Sequence, residues 1–221
     1  MLMLLPIIVA LAAAAPAPAP SSSAPPTPLT EIGRVRALPA CVPIVAHANG
    51  AITLALESDR TLAIITTNLH NTDFDKLDFM QRRSVIEAMM KQAGEVRKAS
   101  KAADAEVKRL REYALNSPDP QRKEELKTFA DALGGALYRQ QKAATEFMRG
   151  ITIMRGREEG QAPGGQSNPA PPGAMGRSTT AADSYNHQMQ NIGDALDDMA
   201  KVIQSDEGRA ADHSIAATSG C

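Results

Sequence analysis

Apolar residues recur at alternating steps of three and four in four separate segments of the chain. The first runs Val45, Ala48, Ile52, Ala55, Asp59, Leu62, Thr66, Leu69. The second runs from Ile86 through Met89, Ala93, Val96, Ser100, Ala103, Val107 and Leu110 to Ala114. The third passes Leu126, Ala130, Leu133, Leu137, Gln140, Ala144, Phe147, Ile151 and Met154, and the fourth Tyr185, Met189, Ile192, Leu196, Met199 and Ile203. Only Asp59, Thr66, Ser100 and Gln140 interrupt the apolar rule. Sustained threes and fours are the seam of helices packed at small angles, and no period-two alternation competes with them. The pattern predicts an all-α protein without a sheet.

The segment ends have local causes. Pro43 has no N–H to lose in a first turn, so the first helix is expected to start at 41–43. Thr72 or Asp73 is the expected cap of the second, with Asp75 adding negative charge to its first turn. Asn116-Ser117-Pro118-Asp119-Pro120 stops that helix and starts the third, with Asp119 as cap. Residues 178–180 are the expected cap of the fourth. Asn49-Gly50 is a turn signal, but Val45, Ala48 and Ile52 stay in phase across it, which predicts an unbroken helix.

Two short connections and one long one make the simplest arrangement an antiparallel up-down-up-down four-helix bundle. A second helix of about 77–115 would outrun a first helix of 43–69 by roughly 18 Å at 1.5 Å per residue. A fourth helix ending near Gln204 leaves a similar overhang on the third. The expectation is therefore a projecting helix 2–helix 3 hairpin with its tip at Ser117-Pro118-Asp119. Its partner-binding surface would be Tyr113, Leu115 and Phe129, ringed by Arg109, Arg111 and Arg122.

The remainder divides by composition. Residues 1–15 are apolar and end in alanines, which reads as a signal peptide cleaved between about residues 13 and 24. The run is shorter than the roughly 20 residues of a spanning helix, and Pro6 interrupts it, so no transmembrane helix is expected in the mature chain. The reading is an exported protein, periplasmic or extracellular, with an N-terminally membrane-anchored form as the alternative. Residues 16–40 are a Pro/Ala/Ser-rich linker, 41–205 the bundle with a flexible loop at 156–179, and 206–221 an irregular C-terminal tail. An exported chain with two cysteines is a candidate for one disulfide. In this topology helix four ends where helix one begins, which pairs Cys41 with Cys221. The chain-entropy model gives at most roughly 5 kcal/mol for so long a loop.

Composition narrows the function further. With 24 Lys/Arg against 25 Asp/Glu the formal charge is −1, and aromatics are 3% with no Trp. No basic excess or stacking surface suggests nucleic acid. Charge is uneven, however: residues 76–112 hold ten basic and six acidic side chains, and 181–213 hold two and seven. The second and fourth helices are therefore expected to complement each other. No Glu-x-x-His, Cys-x-x-Cys-His, His-Glu-x-x-His, Gly-x-Ser-x-Gly or phosphate loop occurs, so no catalytic residue and no cofactor is assigned. The methionines at helical spacing read as core.

Two function classes follow. The first is an exported, non-enzymatic helical-bundle protein, a binding or structural module of the cell envelope with a protein or envelope-surface partner. The alternative is a metal- or cofactor-binding bundle using His70, Asp73, Asp183 and His187, which the topology brings to one end.

Overall fold

The computed structural model describes residues 27–32, 39, 41–160 and 185–218. Among the described residues, four long helices carry the fold: α1 (Val42–Asn71), α2 (Phe79–Asn116), α3 (Pro120–Gly160) and α4 (Tyr185–Thr218), with a 3-10 turn at Phe74–Lys76. No strand occurs among the described residues. Helix α1 starts with Pro43 in its first turn and passes through Asn49-Gly50 without a break. Helix α2 starts later than expected. Asp78 rather than Thr72 or Asp73 caps it, accepting from the Gln81 N–H at 2.8 Å while the Asp78 N–H donates to the Gln81 side chain at 3.1 Å. Asp119 caps α3 as expected, accepting from the Gln121 N–H at 2.9 Å.

Side-chain pairs fix how the helices neighbour one another. His47 pairs with Glu106, Arg111 with Asp131, Arg155 with Glu87, and Arg139 with Asp206. His70 meets Asp197, and His213 meets Glu125. In each adjoining pair of helices the early part of one thus lies against the late part of the next. Packing is closest for α1–α2, α2–α3 and α3–α4, and thinner where α4 returns to α1. Helices α2 and α4 lie across the diagonal, so the expected complementarity between them does not form. Among the acids of α4, Asp206 answers Arg139 of α3 and Asp197 answers His70 of α1. Within α2, Asp104 and Lys108 pair at 2.9 Å, and Glu87 pairs with Arg83 while also meeting Arg155 of α3.

The core is two apolar clusters. One holds Ile44, Ile52, Val107, Leu110, Phe129 and Leu133, and the other Ile65, Leu69, Phe74, Met89, Phe147 and Ile151. Between their levels every helix contributes a buried or half-buried polar residue: Ser58 and Asp59 from α1, Ser100 from α2, Gln140 from α3, and Asp206 and Glu207 from α4. Three of the four interruptions in the sequence pattern belong to this layer.

Several boundaries correct the sequence reading. Helix α4 does not stop near Gln204 with an irregular tail over 206–221; it continues to Thr218. Gly208, Ala210, Ala211, Ser214 and Ala217 are buried on it, and side chains this small let the backbone approach its neighbours. Because α4 is longer, the helix 2–helix 3 hairpin is covered and does not project: His213 of α4 reaches Glu125 at 2.7 Å. Helix α3 continues through Gly156 to Gly160, shortening the expected loop; residues 161–184 lie outside the described residues. Part of the supposed 16–40 linker is docked. Leu29 is buried in the first cluster, and Asn49 clasps Ile32 by accepting from its N–H at 2.7 Å and donating to its carbonyl at 3.0 Å. Thr27 donates to Asp212 at 2.7 Å.

Gly94 gives one direct test of this packing. A Cβ at that position meets nothing within 4 Å, and an interior helical glycine costs about 1 kcal/mol against alanine. Gly94→Ala is therefore expected to stabilise by about 0.5–1 kcal/mol in chemical denaturation. A loss of stability would mean that α2 is not an unstrained helix there.

Candidate functional site

A groove of about 490 Å³ opens between α1 and α4. Leu62, Ala63, Thr66 and Thr67 face Leu196, Ala200, Ile203 and Gln204 across it, with Ala143 of α3 also lining it. Two causes keep it open: α1 and α4 are the most thinly packed neighbours, and Ala63, Ala143 and Ala200 are too small to fill the seam. Its lining is mainly apolar, and polar groups stand at both ends.

At one end, Asp59 leads into the buried polar layer. The Gln140 amide nitrogen donates toward the Ala55 carbonyl at 3.0 Å, Asp59 at 2.8 Å and Glu207 at 3.2 Å. Two amide protons are thus shared among three acceptors. Glu207 is 6% exposed. Burial, then its hydrogen bond and charge repulsion with Asp59, and then the charge of Asp206 push its carboxyl up to about 9. At neutral pH Glu207 is therefore protonated and hydrogen-bonded to Asp59. Asp206 is held by Arg139 at 2.6 Å and sits close against Gly135, where a Cβ would stand 3.1 Å from its Oδ2.

At the other end, His70 occupies the last turn of α1. Its Nε2 lies 3.0 Å from Asp197 Oδ2 and 3.9 Å from Asp194 Oδ1. The imidazole rests directly on Gly193, where a Cβ would stand 2.9 Å from the ring.

Of the three described residues among the four expected to converge on a metal, only His70 joins a cluster of possible ligands. Asp73 pairs with Lys76 at 2.8 Å, and that hydrogen bond holds its carboxyl below the usual range. His187 is exposed in the first turn of α4, and Asp183 lies outside the described residues. The cluster at His70 draws on Asp194 and Asp197 instead. Sequence spacing could have found them only with the α1–α4 register in hand. Asp59 and Gln140 were visible as polar interruptions of an apolar seam. Glu207 was hidden in a segment read as tail.

The expected partner surface dissolves as well. Phe129 is fully buried, and Tyr113 is half-buried against the His47 ring, with centroids 5.9 Å apart. Arg111 is engaged by Asp131 at 2.8 Å, and Arg122 is half-buried beside the Asp119 cap. Arg109 and Leu115 remain exposed, Leu115 by 69%. The aromatic pair closes the hairpin upon the core and leaves no continuous apolar tip.

In comparisons with known proteins, no family model matches the chain, no curated protein is significantly similar to it, and no solved structure matches it. Among the described residues, no helix is long and apolar enough to cross a membrane.

Proposed function

We propose that this chain is an exported, non-enzymatic binding module of the cell envelope that takes a small ligand in the α1–α4 groove. The observation that carries the reading is the groove itself. About 490 Å³ lies within the range of small-ligand sites, and an apolar body with a few convergent polar groups is their usual composition. Asp59 and Arg60 stand at one end and His70 and Asp197 at the other, so two acids outnumber the one arginine of the lining, which favours a ligand with an apolar body and a cationic end. The acidic balance of residues 181–213 favours the same charge.

Export is supported by the apolar residues 1–15 and the Pro/Ala/Ser stretch that follows. An oxidised Cys41–Cys221 pair accords with that compartment. Cys41 is buried at the start of α1, and Ala217 near the end of α4 belongs to the same apolar cluster as Ile44. Cys221 itself lies outside the described residues. Peptide mapping without reductant should recover the two cysteines linked; both alkylated in folded protein would remove this part of the reading.

The ligand site is tested by filling it. A fluorescent alkylammonium probe should bind the wild-type chain, and Ala63→Trp or Ala200→Trp should weaken it by at least about tenfold, the loss expected when a pocket's contacts are blocked. Circular dichroism should show unchanged helicity. Equal binding by the filled variants would exclude the groove.

A further inference from the structure

We infer that His70, Asp194 and Asp197 form a binding site for one divalent transition-metal ion, zinc by preference, at the mouth of the α1–α4 groove. The inference does not rest on groove binding. One imidazole nitrogen and two carboxylate oxygens, all within 4.8 Å of one another, are offered from two different helices. Zinc takes such ligands at about 2.1 Å, which puts neighbouring donors of a tetrahedron roughly 3.4 Å apart. The observed separations of 3.0 Å and 3.9 Å from His70 Nε2 bracket that edge, so small side-chain movements close the site. Three protein ligands leave a fourth position for water or an incoming donor. The mixed imidazole and carboxylate set suits zinc better than calcium or magnesium, which favour oxygen alone.

Gly193 supplies an independent observation. It sits inside α4, where glycine costs about 1 kcal/mol relative to alanine. What its missing side chain makes room for is the imidazole, since a Cβ would stand 2.9 Å from His70 Cε1 and 3.0 Å from Nε2. An exposed His–Asp ion pair is worth at most about 1 kcal/mol and needs no fixed ring position. A metal ligand does need one, because its lone pair has to point at the ion. Gly193 is thus a positioning residue for His70.

The test is metal titration of the full, untagged chain, using cobalt(II) for its visible spectrum and zinc(II) for calorimetry. The expected result is one zinc per chain and a cobalt spectrum of tetrahedral intensity. His70→Asn and Asp197→Asn should each weaken binding by at least about tenfold. His213 pairs with Glu125 near the other end of α4, and His213→Asn should leave metal binding unchanged. Gly193→Ala is the discriminating variant. It should keep or raise the melting temperature, because the ring can swing aside, yet lose metal as severely as His70→Asn. Failure of the wild-type chain to bind zinc below millimolar concentration would overturn the inference. So would binding that survives His70→Asn or Gly193→Ala. The alkylammonium probe reads the groove separately in metal-free protein, so failure of one reading is distinguishable from failure of the other.

Discussion

Raising the pH from about 5.5 to about 8.5 is expected to destabilise the wild-type chain and to leave Glu207→Gln much less affected. The sign follows from the proton on Glu207. Its ordinary value is 4.5 and the folded environment raises it to about 9, so between those limits the folded chain holds a proton that the unfolded chain releases. Stability from this group is complete below pH 4.5 and is lost as the pH rises toward 9. The slope approaches about 1.4 kcal/mol per pH unit, which makes about 4 kcal/mol an upper bound over this interval. Glutamine keeps a neutral hydrogen-bonding group of similar size opposite Asp59. Glu207→Gln should therefore come nearer to wild type at pH 5.5 and exceed it most at pH 8.5 in urea denaturation. Glu207→Lys places a second kind of charge in the same buried position and should be destabilising at both. A wild-type midpoint that is flat over this range would contradict the shared proton, as would an equal slope in Glu207→Gln.

The second large effect is expected at Phe129. It is completely buried among Leu110, Leu126 and Leu133 in the first apolar cluster, so Phe129→Ala should cost about 3–5 kcal/mol. For a domain of this size that is a fall of roughly 6–20 °C in melting temperature. Tyr113→Ala should cost less, since that ring is half-buried, and Leu115→Ala should change little at 69% exposure. This gradient separates the covered hairpin from a projecting one. A projecting tip would make all three substitutions mild. Differential scanning calorimetry on the three variants decides between them.

These two residues also show where the sequence was readable and where it was not. The apolar seam predicts three helices well because their buried positions are large: Ile52, Leu110 and Phe147 announce themselves. Capping was legible at Asp119 because proline follows it directly. The second half of α4 offers neither signal. Its buried side is glycine, alanine and serine, preceded by Asp206 and Glu207, and two acids read as solvent-facing unless their compensation is known. Here the compensation comes from Arg139, Gln140 and the proton shared with Asp59, all from other helices. With that half of α4 illegible, the sequence predicts a projecting hairpin and an exposed Phe129. The site followed the same logic. His70 was placed at the correct end, but Asp194 and Asp197 depend on the register between α1 and α4. Residues 161–184 connect α3 to α4 and carry no periodicity to set that register. Asp59, Ser100 and Gln140 were legible as exceptions, though only the fold shows them at one level.

Methyl-resolved NMR during titration with the alkylammonium probe shows which wall of the bundle the ligand meets. Saturable shifts are expected at Leu62, Ala63 and Ile203, which line the α1–α4 groove. Ile192 and Met199 line a second cavity of about 480 Å³ between α3 and α4, and their methyls should stay unmoved. Shifts confined to Ile192 and Met199, or no saturable shift at Leu62 and Ile203, would contradict binding in the groove.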